Sequence, residues 1–383
     1  MQRPLGVELA GFLESAVGAG EAARRYLGAL RAVDVHVRAR DIELPGRDPA
    51  RTAFHDAGRF GLHTTLFNLI CLNPEQLRPY LASPAAPSGR RRAIVAAWNW
   101  EVDVLPPGWA EVAGEVAEIW ACSEFTASFI RAGTGAPVIA MPLPLAIADG
   151  RPPAPAPELP AGFRVLMIFD YLSTIQRKNP IGAIEAYRQA FAPGDGAQLI
   201  VKSINGVHRV EAREQVERAA NGRSDIVLID ETISGAARDA LVAACDCLLS
   251  LHRGEGFGLS LADAMAAGKP VIATDYGGNT EFMSAANSYL VPYEMTNVGP
   301  GCEHYSPDAR WAEPDVSSAA AALRVIAGDP GAARERGRRA QAEVRMLLAP
   351  ERIGRLMVRR FNALRGEPSG APDRRNARSG ARP

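Results

Sequence analysis

The sequence predicts an α/β protein made of two Rossmann-like domains, each with a parallel sheet covered by helices. The chain has 383 residues, more than one ordinary hydrophobic core accommodates, so two domains are expected. Hydrophobic residues make up 47% of the chain and charged residues 22%, which supplies enough apolar material for two cores. In both halves, apolar segments of strand length alternate with segments of helical pattern, as is typical of parallel sheets.

The first half begins with a short apolar strand and continues with this alternation. Strands are predicted at residues 5–13 and 33–39, a helix at 21–31, and further strand-like runs at 94–100, 117–123 and 136–144. The proline-rich stretch 146–162 can continue neither a sheet nor a helix, which predicts a semi-rigid linker. We therefore place a first domain at 1–150 and a second at 151–330.

The second half repeats the alternation as a complete doubly wound unit. Strands are predicted at 164–172, 197–204, 225–230, 247–252 and 269–274, and helices at 179–191, 211–220 and 235–245. Residues 316–364 are helical in pattern, and we expect the helices within 331–365 to cross back to the first domain. Residues 366–383 contain almost nothing apolar, which predicts a disordered tail.

Charge and cysteine usage exclude some classes of partner. The formal net charge is +0, so no bulk attraction to nucleic acid or to an anionic membrane is expected. The five cysteines include no CxxC pair, which favours reduced thiols and a cytoplasmic location. No apolar run is long enough to cross a bilayer, and the first residues do not read as a signal peptide, so no integral membrane segment is expected.

The stretch HRGEGFGLS, residues 252–260, carries the strongest functional signal. It lies between an apolar strand and an alanine-rich helix, at the sheet edge where open α/β folds bind ligands. Its three glycines allow a tight turn, and Ser260 with Asp263 has the spacing of a capping box at a helix start. A helix N-terminus favours an anion such as a diphosphate, whereas the carboxylate of Glu255 suits sugar hydroxyls.

The sequence EGFGLSLADAMAAGKPVIAT, followed by YGGNTEF, resembles the donor-site signature of retaining GT-B glycosyltransferases of the family-4 type, glycosyl transferases group 1. In that family two carboxylates are separated by seven residues, as Glu255 and Asp263 are here. The resemblance extends to FDYLSTIQRKNPIGAIEAY, VKSING, DETIS, CDCLLSLHR and WNWEVDVLPPGW, and so covers most of residues 5–365. It implies two domains facing a cleft, a nucleoside-diphosphate sugar as donor, and a glycan, lipid-linked or small-molecule hydroxyl as acceptor. It also implies retention at the anomeric carbon, no metal ion and no cofactor besides the donor.

The resemblance assigns roles to individual residues of the second domain. Glu255 would hold hydroxyls of the donor sugar, and Lys178 would pair with the diphosphate. Asp263 would replace the glutamate that binds the ribose; its alternative is the capping box with Ser260. Backbone N–H groups would be offered to the sugar and the diphosphate by Gly256, Phe257, Gly258 and Leu259.

Several assignments depart from the family pattern or stay open. Ser173 stands where the family commonly has an arginine five residues before the lysine, and Arg177 is the candidate substitute. Lys202 is a further candidate for the donor site. His252 either lines the cleft beside the leaving phosphate or is a hydrogen-bonded histidine at a strand end. Glu281 is expected to accept hydrogen bonds from the start of its own helix.

The segment Gly18-Ala-Gly20-Glu-Ala-Ala23 indicates an alternative function. It fits G-x-G-x-x-A, the dinucleotide fingerprint, so an NAD(P)-dependent oxidoreductase is the alternative class. Against it, four residues separate the predicted strand end at Leu13 from Gly18, whereas the fingerprint places its first glycine directly after the strand. The family resemblance instead assigns Gly18 and Gly20 to the interdomain cleft, with backbone packing as the alternative. A sugar-nucleotide-binding protein without catalysis is a third class.

The segment Trp98-Asn-Trp100-Glu101 marks an edge of the first sheet. Tryptophan rings stack on the apolar faces of sugars, and Glu101 could orient an acceptor hydroxyl. Packing of both rings between the domains is the alternative.

Overall fold

The computed structural model describes residues 5–43, 67–86, 93–147, 154–155, 158–159, 161–302 and 304–366. It contains two six-stranded sheets, and every strand pair within them is parallel. The predicted fold class is confirmed: both sheets are Rossmann-like, and they face a common cleft.

The first sheet has the strand order β2-β1-β3-β4-β5-β6. Its strands are β1 (Gly6–Gly11), β2 (His36–Asp41), β3 (Phe67–Cys71), β4 (Ala93–Trp98), β5 (Glu118–Ala121) and β6 (Val138–Ala140), and its helices are α1 (Gly18–Arg31), α2 (Pro74–Ala82), α3 (Trp109–Ala113) and α4 (Glu124–Thr134). Every residue of β1 and β3 is buried, because helices cover both faces of a parallel sheet. Strand β3 and helices α2 to α4 had no prediction from sequence, since a five-residue apolar run cannot be classified by periodicity alone.

The second sheet has the order β12-β11-β10-β7-β8-β9. Its strands are β7 (Phe163–Asp170), β8 (Ala197–Ile204), β9 (Ile226–Asp230), β10 (Cys247–Ser250), β11 (Val271–Thr274) and β12 (Tyr289–Val291), and its helices are α5 (Ile175–Lys178), α6 (Pro180–Ala190), α7 (Val210–Ala220), α8 (Gly235–Ala244) and α9 (Leu259–Ala266). The direction of winding reverses between β7 and β10, and ligands of doubly wound sheets bind at that point. The loops after β7 and β10 carry the predicted donor-site residues.

A hairpin and three helices complete the described chain. They are β13 (Tyr293–Asn297), β14 (Arg310–Pro314), α10 (Val316–Gly328), α11 (Pro330–Leu347) and α12 (Pro350–Gly366). Helix α12 packs on the first sheet, where the ring of Phe361 lies 4.8 Å from that of Phe67 and 4.9 Å from that of Trp120. The close crossing with α1 occurs at Gly354, where a Cβ atom would lie 2.2 Å from the carbonyl oxygen of Ala29.

Two sequence predictions fall wholly or partly outside the described residues. These are the tail beyond residue 366 and much of the linker 146–162. Within the described residues, no helix combines the length and the apolar character needed to cross a membrane.

Candidate active site

A cleft of about 1650 Å³ lies between the two sheets. Its walls come from the loops after β1, β3 and β4 on one side and from those after β7, β8, β9 and β10 on the other. Pockets for drug-sized ligands measure about 300–1,000 Å³, so this cleft can hold a nucleotide together with a second substrate.

The glycine-rich loop ends where α9 begins. Gly258 precedes the helix with a φ of 96°, a left-handed conformation that favours glycine, and no side chain caps the helix. The predicted capping box is therefore wrong, because Ser260 and Asp263 both lie inside α9. The first N–H groups of α9 have no side-chain acceptor and are available to an anion in the cleft.

Close contact with the first domain explains in part why glycines precede α9. A Cβ atom on Gly254 would lie 2.7 Å from the backbone oxygen of Glu101. The carbonyl oxygen of Gly256 accepts a hydrogen bond of 2.5 Å from Ser123 Oγ, also in the first domain. The loop is thus fixed between the two domains before any ligand binds. The ring of Phe257 packs on Phe282 at 5.3 Å and is buried, and the binding of a ligand by its backbone N–H stays a prediction.

Glu255 and Lys178, far apart in sequence, form an ion pair in the cleft. Lys178 Nζ lies 2.5 Å from Glu255 Oε2, and Arg177 Nη1 lies 3.8 Å from the same oxygen. Burial raises the pKa of Glu255, but Lys178 and Arg177 outweigh it and lower that pKa to about 2. Glu255 is therefore a permanent anion at neutral pH, adjacent to a cation that can contact a phosphate.

Arg177 holds the backbone of the glycine-rich loop at Gly254. Its side chain is buried and Nη1 donates a 2.9 Å hydrogen bond to the carbonyl oxygen of Gly254. Burial lowers its pKa, but Glu101, Tyr305 and Glu255 raise it by a larger amount. This guanidinium lines the cleft and already contacts Gly254, so its substitution for the arginine expected at position 173 stays a prediction. Ser173 itself lies in the cleft wall, at the end of the 3-10 turn that follows β7.

Asp263 lies in the cleft wall and contacts the first domain. Its Oδ2 accepts a 2.7 Å hydrogen bond from Arg25 Nη2 on α1, and Arg25 Nε in turn donates to Glu21 Oε1 at 2.8 Å. Burial raises the pKa of Glu21, but Arg25 and Arg24 lower it to about 2. Sequence reasoning missed Arg25, because nothing in its local pattern separates it from the many other arginines.

His252 does not line the cleft, and the expectation that its ring lies beside the leaving phosphate is wrong. The residue is fully buried, with Nδ1 3.1 Å from Ser250 Oγ and Nε2 3.0 Å from the backbone oxygen of Tyr276. Burial lowers its pKa, so the ring is neutral. The structure supports the alternative of a hydrogen-bonded histidine at a strand end.

Lys202 reaches the cleft wall from β8, and its ammonium is partly engaged. Nζ donates to the backbone oxygen of Ser203 at 2.6 Å and to that of Glu231. Burial lowers its pKa. Two of the three N–H donors of the ammonium thus have carbonyl partners, and the role of Lys202 in the donor site stays a prediction.

Glu101 lines the cleft but is held by the hairpin of the second domain. Its Oε2 accepts a 2.9 Å hydrogen bond from Tyr305 Oη, and its Oε1 lies 3.8 Å from Arg177. The rings of Trp98 and Trp100 are buried against neighbouring aromatic side chains. Trp98 is absent from the cleft wall, so its ring has the packing role. Trp100 packs in the same way but also lines the cleft, so stacking of its ring on a sugar stays a prediction. The hairpin and Tyr305 had no prediction from sequence.

Glu281 forms a further contact between the two domains. Its Oε1 accepts hydrogen bonds from the backbone nitrogens of Glu124, at 2.5 Å, and Phe125, at 3.2 Å. The expectation that Glu281 caps its own helix is wrong, since these amides belong to the start of α4 in the first domain.

Gly18 and Gly20, both at the start of α1, differ in their surroundings. A Cβ atom on Gly20 would lie 2.3 Å from the backbone oxygen of Phe12, whereas one on Gly18 would meet nothing within 4 Å. Gly18 lines the cleft, and Gly20 packs against the loop after β1. Six residues, 12–17, separate the end of β1 from Gly18, which does not fit the dinucleotide fingerprint.

We expect Gly20→Ala to lower the free energy of unfolding by about 1–3 kcal/mol, because the added methyl group displaces the β1 loop. Gly18→Ala is the matched control and should change stability by less than about 0.5 kcal/mol. Thermal and urea unfolding of both variants measure this. A stable Gly20→Ala variant that nevertheless loses ligand binding would contradict the packing role.

Comparison with known proteins supports the sequence resemblance. Residues 177–297, from the end of α5 to the end of β13, match the model of a family described as Glycosyl transferases group 1. Trehalose synthase of Rubrobacter xylanophilus is 26% identical over 194 residues, which is 49% of this chain. The match spans 41% of the length of that relative.

Solved structures with the same arrangement of sheets include two from cyanobacteria. Sucrose-phosphate synthase from Thermosynechococcus elongatus is 16% identical with a TM-score of 0.65, covering 94% of this chain and 99% of that one. Anabaena HepE, solved in complex with UDP and glucose, is 15% identical with a TM-score of 0.62. The likeness covers 94% of this chain and 100% of that one. These likenesses show the GT-B fold, in which the two sheets face each other across the cleft.

Proposed function

We propose that this protein moves a glycosyl group from a nucleoside-diphosphate sugar to a hydroxyl acceptor. The match to the group 1 glycosyltransferase model and the GT-B fold both support this proposal. The transfer retains the anomeric configuration and needs no metal ion. The observation that carries the proposal is the ion pair of Glu255 and Lys178 beside the uncapped start of α9, inside a cleft of about 1650 Å³.

The second domain supplies what a departing diphosphate requires. The N–H groups at the start of α9 and the ammonium of Lys178 place positive charge on one region of the cleft wall. When the bond between sugar and phosphate breaks, negative charge grows on the diphosphate, and fixed positive groups stabilise that transition state. These groups perform the task that a divalent cation performs in other transferases, which is why we propose metal independence.

Glu255 binds the sugar and does not serve as a base. Its carboxylate can accept hydrogen bonds from two hydroxyls of the donor sugar. With a pKa of about 2, it is too weak a base to take a proton from an acceptor hydroxyl at neutral pH. We propose that an oxygen of the departing diphosphate takes this proton on the same face of the sugar, which leads to retention.

The acceptor occupies the part of the cleft next to the first domain. There Glu101, fixed by Tyr305 and 3.8 Å from Arg177, lines the cleft next to the Glu255 loop, whose Gly254 packs on its backbone. Two carboxylates, one from each domain, thus lie near the place where we propose that donor sugar and acceptor hydroxyl meet. A glycan, a lipid-linked saccharide and a small molecule are all acceptors of this chemistry.

A thermal-shift panel of nucleoside diphosphates and their sugars tests the proposal most directly. We expect one base and one sugar to raise the melting temperature most, through preferential binding to the folded state. The same donor should then be hydrolysed slowly by the purified protein, with an unchanged rate in EDTA, and NMR should show retention in the released sugar.

Three results would contradict parts of the proposal. Binding without hydrolysis or transfer to any acceptor would favour a non-catalytic sugar-nucleotide-binding protein. Loss of activity in EDTA would remove metal independence. Quenching of tryptophan fluorescence by NAD(P), with no response to sugar nucleotides, would favour the oxidoreductase.

A further inference from the structure

We propose that Arg25 on α1 is a positioning residue for the donor nucleotide. It fixes one oxygen of Asp263 so that the other oxygen accepts hydrogen bonds from the hydroxyls of the nucleoside's ribose. The first domain thereby completes a nucleotide site whose other residues belong to the second domain. This inference rests on the proposed function, because it takes a nucleoside diphosphate as the ligand of the cleft.

The contact between Arg25 and Asp263 leaves half of the carboxylate available. Arg25 Nη2 donates to Asp263 Oδ2 at 2.7 Å, and Arg238 Nη2 lies 3.7 Å from the same oxygen. In the part of the chain that the structure describes, Asp263 Oδ1 has no hydrogen-bond partner. Asp263 lines the cleft, so this oxygen is the one a ligand can use.

Arg25 is well suited to hold a carboxylate in one orientation. Its side chain is 2% exposed, and the guanidinium is fixed from a second direction by Glu21 Oε1 at 2.8 Å. Its Nη1 also donates to the backbone oxygen of Pro144 at 3.4 Å. A planar guanidinium with three partners has little rotational freedom, and the short side chain of Asp263 has few rotamers. Asp263 is therefore held before a ligand arrives, which avoids an entropic cost of ordering it during binding.

The position of Asp263 along α9 determines which part of the donor it meets. It lies five residues beyond Gly258, about 7.5 Å along the helix axis from the anion site at the helix start. Glu255 precedes the helix, three residues before Gly258. A diphosphate at the helix start thus has its sugar near Glu255 and its nucleoside near Asp263.

The contact also makes nucleotide binding depend on the first domain. Glu21 and Arg25 belong to α1, whereas Asp263 and Arg238 belong to α9 and α8. Opening of the cleft would separate Arg25 from Asp263 and leave Arg238 as the nearest cation. A nucleotide that needs an oriented Asp263 therefore binds best to the closed arrangement of domains.

The test compares a ribonucleotide with its counterpart lacking both ribose hydroxyls. The probe is whichever of UDP, ADP and GDP gives the largest thermal shift, together with its 2′,3′-dideoxy form, and isothermal titration measures both affinities. We expect the native protein to bind the ribonucleotide about tenfold or more tightly than the dideoxy form, as loss of charge-assisted hydrogen bonds requires. Arg25→Met and Asp263→Asn should each reduce this ratio to about one, and the double variant should reduce it no further.

Glu281→Ala is the matched control, because it removes a different contact between the domains and leaves Asp263 untouched. It should weaken both nucleotides equally, if at all, and keep the ratio. If Arg25→Met does not fold, Arg25→Lys keeps the charge but loses the fork that holds two carboxylates, and it should also lower the ratio.

Three outcomes overturn the inference. An unchanged ratio in folded Arg25→Met makes Arg25 merely structural. A rise in ribonucleotide affinity in that variant means that Arg25 competes with the nucleoside for Asp263. Failure of the native protein to bind any of the three nucleotides defeats the proposed function as well, whereas the first two results leave that function standing.

Discussion

Replacement of Glu255 by glutamine is expected to lower kcat by about 10²–10³-fold while the fold stays intact. Glutamine has nearly the same shape, so the loop between Gly254 and Gly258 keeps its contacts with the first domain. What is lost is the negative charge that pairs with Lys178 and accepts hydrogen bonds from the donor sugar. Turnover of the donor identified by thermal shift measures the effect, and circular dichroism checks the fold.

Glu214→Gln on the exposed face of α7 is the control for this change, because its carboxylate lies outside the cleft and pairs with Arg218 at 3.4 Å. It should leave kcat unchanged. Full activity in Glu255→Gln would remove Glu255 from the site.

The low pKa of Glu255 has a consequence for pH dependence. The pKa is lowered from 4.5 to about 2, so the carboxylate stays ionised at every pH above about 5. Its ion pair stabilises the folded state above pH 4.5 and loses that contribution as the pH falls towards 2. The activity profile between about pH 5 and pH 9 should therefore contain no step that disappears in Glu255→Gln. Such a step would contradict the assignment of Glu255 as a permanent anion.

The second large effect is expected for Lys178→Met, which should lower kcat by about 10²–10³-fold and change the donor KM much less. The reason is that the ammonium interacts most strongly with the diphosphate when charge develops on it during bond cleavage. The methionine also leaves Glu255 with Arg177, at 3.8 Å, as its nearest cation. Steady-state kinetics over a range of donor concentrations separates the two parameters.

Lys269→Met is the matched control among the three lysines. Lys269 does not line the cleft, and its Nζ donates to the backbone oxygen of Ala243 at 2.6 Å. It should retain kcat even if stability falls slightly. If Lys178→Met raised KM with kcat unchanged, Lys178 would bind the ground state and the transition state equally, which would contradict this prediction.

The sequence by itself determined the fold class and the segments that meet in the second domain. Parallel strands leave a local signal, since apolar runs of strand length alternate with helices at short range. The family resemblance implied that Lys178 and Glu255 lie in one site, and they form an ion pair there. Doubly wound topology gives the reason, because the carboxyl ends of β7 and β10 lie side by side. The glycines around Glu255 were expected to allow a tight turn, and Gly258 does adopt a φ of 96°.

Only the tertiary structure decided what approaches those glycines and which side chains face the cleft. Gly254 contacts the backbone of the first domain, His252 is buried, and Arg25 holds Asp263 from 238 positions away in the chain. Glu281 and Glu101 likewise find partners in the opposite domain, 157 and 204 positions away. Periodicity and capping patterns describe contacts within a few residues, whereas contacts across a cleft depend on how two separately folded sheets pack against each other.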